Sequence, residues 1–131
     1  MISTKGRYAL RVMIDLAENG KKGPVPLKDV AERQEISKKY LELIVRDLVK
    51  GGLIKGSSGK GGGYILCKKP EEYTVGEIIE LTEGTIAAVA CLAGDEVTCP
   101  RASQCKTLPM WSELDALVRG FFDTKKLSDL L

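Results

Sequence analysis

The segment "VPLKDVAERQEISKKYLELIVRDLVKGGL", residues 25–53, decides the fold. Leu27, Val30 and Ala31 recur at helical spacing and mark a short helix, and Arg33-Gln34-Glu35 reads as a tight connection. Ser37 then caps a longer helix that runs to about Lys50, where Gly51 and Gly52 stop it. On that second helix Leu41, Ile44, Val45 and Leu48 follow the i, i+3, i+4, i+7 pattern and define a buried stripe. At about 100° per residue, Lys38, Lys39, Glu42, Arg46 and Lys50 fall on the opposite face. A polar, mostly basic face that begins at a helix N-terminus has the form of a recognition helix in a DNA major groove. A solvated face on an ordinary helix is the plain alternative.

The next stretch separates the two. "GLIKGSSGKGGGYILCKKP", residues 52–70, has two short apolar runs, Leu53-Ile54 and Tyr64-Ile65-Leu66-Cys67, around a turn of Gly, Ser and Lys. It predicts a two-stranded wing, whose glycine-rich tip lets backbone approach phosphate closely. Lys60 is placed to reach the minor groove, with Lys55, Lys68 and Lys69 as nearby phosphate contacts. The candidate DNA-binding set is therefore Lys28, Ser37, Lys38, Lys39, Tyr40, Glu42, Leu43 and Arg46 from the two helices, and Lys55, Ser57, Ser58, Lys60 and Gly61 from the wing. A nucleotide-binding phosphate loop is excluded, because Ile54 stands where its first glycine belongs and Gly61 follows Lys60 in place of Ser or Thr. The GxGxxG pattern fails as well, since Tyr64 occupies its last glycine.

Charge supports a polyanion partner. The net charge of +2 conceals a division: residues 1–69 hold 15 Lys/Arg against 7 Asp/Glu, and residues 70–131 hold 5 against 11. The basic half is the expected footprint of a nucleic-acid binder, and the acidic half suits a scaffold or sensor. The opening "MISTKGRYALRVMIDLAENG" places Ser3 and Thr4 as caps of a helix with Ala9, Val12, Met13, Leu16 and Ala17 on one stripe. Lys5, Arg7, Arg11, Asp15 and Glu18 interrupt it too often for a secretory leader or a membrane span, so a cytoplasmic protein is expected.

After Pro70, "YTVGEIIELTEG" predicts a capped helix from about Thr74 to Glu83. "TLPMWSELDALVRGFFDTKKLSDLL" carries Leu108, Trp111, Leu114, Leu117, Val118 and Phe121 on one stripe of a long helix. So short a chain leaves that stripe little to pack against, so the helix over 107–121 is expected to form a homodimer and present two recognition helices to a palindromic double-stranded operator. Between these helices lies "CLAGDEVTCPRASQC", residues 91–105. In a reducing compartment such thiols point to a metal, a cofactor or redox sensing more than to structural disulfides. The gaps Cys91-x7-Cys99-x5-Cys105 are wider than a zinc knuckle's and suit a larger, soft-metal group such as an iron–sulfur cluster. Cys67 continues an apolar strand and is expected to be a small buried residue.

Taken together, "TKGRYAL", "GPVPLKDVAERQEIS", "YLE", "GGGYIL", "TVGEIIELTEG" and the three cysteines resemble the Rrf2 family of bacterial transcription regulators, above all its regulators of iron–sulfur cluster biogenesis. The resemblance runs in order through essentially the whole chain. It implies a mostly α fold with a small β wing: a winged helix-turn-helix DNA-binding region over 1–70, then a cluster-binding loop at about 85–106 and a dimerisation helix within the same compact domain, 71–131. It further implies that Cys91, Cys99 and Cys105 hold a [2Fe-2S] cluster whose occupancy changes promoter choice, controlling cluster-assembly genes.

Two departures stand out. The family pattern can supply a histidine ligand three residues after the last cysteine, where this chain has Leu108, and the chain contains no histidine. Related nitric-oxide sensors can recruit an acidic residue from the partner's first helix, where Arg7 stands. The fourth ligand stays open among Asp95, Glu96, Ser103, Gln104, a partner's carboxylate such as Glu42, and Cys67. In the wing, an arginine common before the glycines is replaced by Ser58-Gly59-Lys60, and lysine lacks arginine's planar fork. A cluster-free thiol-redox, nitric-oxide or cysteine-metabolism regulator of the same family is the alternative function, and a zinc-stabilised module a more distant one. No catalytic constellation is apparent, and an enzyme is not expected.

Overall fold

The apolar stripe of the opening segment becomes helix α1 (Thr4–Asn19), with Ala9, Val12, Met13 and Leu16 buried. There follow α2 (Leu27–Gln34), α3 (Lys38–Lys50), antiparallel strands β1 (Ile54–Ser57) and β2 (Gly63–Leu66), α4 (Val75–Glu83) and α5 (Leu108–Thr124). This computed structural model describes residues 2–94, 96–97 and 99–131. Among them no helix is long and apolar enough to cross a membrane.

Helices α2 and α3 form the helix-turn-helix. α2 continues through Arg33 and Gln34, beyond the limit the apolar spacing implies, and the turn is carried by Glu35 at φ 54°. α3 starts at Ser37, whose Oγ accepts from the Tyr40 N–H at 3.2 Å. Its inner residues Leu41, Ile44, Val45 and Leu48 are at most 2% exposed. Burial of that kind contributes about 2 kcal/mol per side chain, so α3 is held by its apolar face and leaves the other free.

The wing pairs Ile54 with Leu66 through Ser57 with Gly63. A third segment joins it: Val25 and Tyr64 exchange N–H···O bonds of 2.9 Å in both directions. A Cβ on Gly63 would collide with the Val25 carbonyl, so glycine permits this approach. At the wing's base, buried Tyr73 donates its hydroxyl proton to the Leu53 carbonyl at 2.6 Å and accepts from the N–H groups of Cys67 and Lys68, both at 2.9 Å. The expected burial of Cys67 is not found. β2 ends at Leu66, the chain turns to meet Tyr73, and Cys67 is left exposed.

α4 has the capping box expected of it, Thr74 Oγ1 accepting from the Glu77 N–H at 3.1 Å while Glu77 Oε2 accepts from the Thr74 N–H at 3.2 Å. The C-terminus returns to the centre: Leu127 is fully buried and shares one core with Tyr73, Ile78 and the inner faces of α1–α3. Val75, Ile79 and Ile86 form a smaller cluster against Ile2, Leu10 and Phe122. α5 differs from the other helices in having no buried residue. Met110, Leu114, Leu117 and Phe121 are exposed along it, Leu117 by 67%, while Leu108, Trp111 and Val118 are half-buried.

Candidate nucleic-acid interface and thiol site

Two adjoining grooves separate α3 from the wing. The first is lined by Lys28 at the start of α2, Lys38 at the start of α3, and Ser57 and Ser58 at the end of β1 and just beyond. The second is lined by Glu42, Arg46, Val49 and Lys50 of α3, facing Gly56 and Tyr64. Lys39 and Leu43 are exposed on the same helix, Leu43 by 44%. Lys55, Lys60 and Gly61 are exposed on the wing, whose tip turns through Gly59 at φ 86° and Gly61 at φ 80°. Among the described residues none of Lys28, Lys38, Lys39, Arg46, Lys55 and Lys60 enters an ion pair, so their charges are available to phosphate. Ser37 and Tyr40 have structural work as well. Ser37 caps α3, and the Tyr40 ring packs edge-on against Tyr8 at a centroid distance of 5.7 Å. Lys68 is already paired with Glu77 at 3.3 Å, which weakens it as a phosphate contact.

The orientation of α2 depends on Asp15, a carboxylate that composition and motif do not single out. Asp15 is 1% exposed and accepts from Arg33 Nε at 3.0 Å, Arg33 Nη2 at 2.7 Å and Gln34 Nε2 at 3.0 Å. Burial alone would raise its pKa, but the Arg33 and Gln34 hydrogen bonds and the Arg33 charge outweigh that and hold it below the ordinary value. Arg11 binds Gln34 through Oε1 and the carbonyl and lies 5.1 Å from the Tyr8 ring centroid. One polar network thus clamps the C-terminal end of α2 to α1.

The three cysteines lie between α4 and α5, all half-buried. Cys91 sits in a short 3-10 turn, Ala90–Leu92, and Cys105 follows another, Ala102–Gln104. Cys99 and Cys105 line one open pocket with Arg101, Gln104, Lys106 and Thr107, and Cys91 stands outside it. Among the described residues no three Cys, Asp or Glu side chains converge on a point. Of the candidate fourth ligands, Gln104 lines this pocket, Glu96 lies in a separate one with Glu80, Asp115 and Arg119, and Asp95 lies outside the described residues. Cys105 Sγ is 3.4 Å from the Thr107 hydroxyl at the start of α5. That contact, the main-chain N–H groups of Thr107 and Leu108, and the Arg101 charge lower its pKa despite some desolvation, which favours the thiolate that metals and oxidants both require.

The chain as a whole is similar to known transcription regulators. The family model Rrf2, "Iron-dependent Transcriptional regulator", matches residues 2–131. The HTH-type transcriptional regulator IscR of Aliivibrio salmonicida is 38% identical over 99% of this chain and 76% of its own length. The solved structure of CymR, the global cysteine regulator of B. subtilis, is similar at TM-score 0.80 and 36% identity, covering 99% of this chain and 95% of that one. The T. potens IscR structure is similar at TM-score 0.77 and 35% identity, over 99% and 85% respectively.

Proposed function

Since the chain belongs to the Rrf2 family of transcription regulators, a winged-helix family, we propose that it binds operator DNA as a homodimer and adjusts that binding through Cys91, Cys99 and Cys105, which hold a [2Fe-2S] cluster. The observation that carries the reading is the placement of three half-buried thiols on one connection between α4 and α5. In kind, the donor set fits the group: thiolates are soft ligands, and Cys105 is already biased toward that form. The convergence of all three is a rearrangement the connection would undergo on binding. When bound, the cluster supplies an oxidant-sensitive link between points of the loop that are otherwise apart.

The rest falls to the chain's own side chains. Lys28, Lys38, Ser57 and Ser58 receive a phosphate strand in the first groove, Lys39, Arg46, Lys55 and Lys60 add charge, and Gly61 allows the wing tip a close approach. Glu42 and Leu43 face base edges, the carboxylate accepting from cytosine and the leucine offering apolar contact. The exposed stripe Met110, Leu114, Leu117 and Phe121 pairs two copies and brings two α3 helices to a palindrome.

A second reading, a cluster-free thiol switch or cysteine-responsive regulator, is favoured by the pocket that joins Cys99 and Cys105 but leaves Cys91 out. Anaerobic purification separates the two. Cluster binding predicts iron and acid-labile sulfide in equal amounts with visible absorption, all lost in Cys91→Ala, Cys99→Ala or Cys105→Ala. Colourless, iron-free protein after anaerobic reconstitution, with a reversible Cys99–Cys105 disulfide, would overturn it in favour of the switch.

A further inference from the structure

We propose that Glu83 is the positioning residue through which the state of the cysteine loop reaches the DNA-reading helix, an inference that rests on the sensing role just assigned to that loop. Glu83 is the last residue of α4, directly before Gly84 at φ 83° and the connection bearing the cysteines. Its Oε1 accepts three hydrogen bonds from a segment 80 residues away: Ser3 N–H at 2.9 Å, Ser3 Oγ at 2.6 Å and Gly6 N–H at 3.1 Å. Ser3 occupies the N-cap position of α1 but makes no cap with its own side chain. The cap that α1 needs is supplied by Glu83, whose charge also suits the positive end of a helix. A Cβ on Gly6 would collide with that carboxylate oxygen, so glycine admits it to the backbone.

From this first turn of α1 the path continues at once. Lys5 Nζ pairs with Asp47 Oδ2 of α3 at 2.5 Å. A second contact reaches the same end of α3, one turn on: Leu81 of α4 packs so closely on Gly51, which ends α3, that a Cβ there would overlap its methyl groups. The end of α4 thus touches both the residue that ends α3 and the turn that holds Asp47.

The loop in turn rests on α4. Leu92, Ala93, Glu96 and Val97 lie with Glu80, Asp115 and Arg119 around one cavity. There Arg119 is held within α5 by Asp115 at 2.9 Å and reaches across to Glu80 of α4 at 3.7 Å. A rearrangement that draws Cys91 toward Cys99 and Cys105 must move Leu92 and Val97 over this seam, hence the last turn of α4 and the Glu83 carboxylate. Because α1 is capped by Glu83 and α3 is tied to α1 by Lys5, the tilt of α3 changes with the loop. The arrangement is one of linkage, in which each state of the loop favours one placement of α3.

The test uses the full chain and an operator selected from random DNA with the wild-type protein. Operator affinity is measured with the thiols reduced and metal-free, after anaerobic reconstitution with iron and sulfide, and after diamide oxidation; amide exchange at Gly6 is followed in parallel. Wild type is expected to show an affinity ratio between free and occupied loop of about 5- to 150-fold, the usual range of such couplings. Glu83→Ala should bring the ratio within twofold of one and abolish the loop-dependent change in Gly6 exchange. Glu83→Gln, whose amide oxygen can still accept from Ser3 and Gly6, should restore most of both. Lys5→Met cuts the path farther on: it should lower the ratio while Gly6 exchange keeps responding, and it decides the matter if Glu83→Ala does not fold. A wild-type ratio of one in every loop state would remove the sensing role itself. A wild-type ratio retained in Lys5→Met, and in Glu83→Ala where that variant folds, would overturn the role of Glu83 and leave sensing intact.

Discussion

Asp15 and Arg33 show how much a single pair decides. Arg33→Ala leaves a carboxylate that is 1% exposed with far fewer partners, at a cost of about 3 kcal/mol of unfolding free energy. The pH dependence follows from the sign of the shift. A carboxyl held below its ordinary pKa contributes stability that is present above about 4 and is lost as pH falls through the lower folded value. The gap between wild type and Arg33→Ala in urea unfolding should therefore narrow below pH 4, and a gap unchanged from pH 7 to pH 3 would contradict this role. On the DNA face, Lys60→Ala should weaken binding to all sequences alike and reduce the salt slope by about 1 per protomer. Glu42→Ala should instead leave the slope unchanged or steeper and relax base choice at one position by about 1–3 kcal/mol, measurable as competition between operator variants. If Glu42→Ala alters every sequence equally, Glu42 does not read a base.

At the level of elements, what can be read from the sequence depends on the distance between partners. The Ser37 cap, the Thr74–Glu77 box and the inner stripe of α3 are signals within one or two helical turns, and each appears where its spacing places it. Glu83 capping α1, Tyr73 pinning the wing and Asp15 clamping α2 join residues 80, 20 and 18 apart and carry no local pattern. The exposure of Cys67 is hidden from the sequence for a related reason. Alternation along β2 says nothing about where the strand lets go, and it lets go at Leu66 because Tyr73 draws the next two amides aside. The thiol site is legible as residue types and spacing, but which cysteines meet depends on the path of the 84–107 connection, which no periodicity describes. Tyr73→Phe tests the pin: it strands the Lys68 N–H, leaves the Cys67 N–H and the Leu53 carbonyl only their mutual bond of 3.3 Å, and should cost about 1–2 kcal/mol. A loss below about 0.5 kcal/mol in chemical unfolding would show the wing to be held by packing alone. For α5, Leu117→Glu places a charge in the middle of the exposed stripe and should yield monomers in sedimentation; dimers that persist would move the subunit contact elsewhere.

The whole molecule divides by charge but not by packing. The basic half supplies α2, α3 and the wing, and the acidic half supplies the thiol connection and α5, yet Tyr73, Ile78 and Leu127 sit in the core that α1–α3 enclose. A sensor built on a separate module would need a hinge to reach the reader. Here α4 lies against α1, α3 and α5, so a change in the connection after α4 is mechanically continuous with the helix proposed to face DNA. In the proposed function, the state of Cys91, Cys99 and Cys105 sets the affinity of the dimer for its operator. The most direct test is fluorescence anisotropy with one selected operator at fixed salt, comparing iron–sulfur-reconstituted wild type, metal-free reduced wild type and the Cys91→Ala/Cys99→Ala/Cys105→Ala protein. We expect the reconstituted protein to differ by at least about fivefold from the metal-free one, and the triple variant to match the metal-free protein under both treatments. Equal affinities for all three preparations, at every operator selected, would contradict that claim.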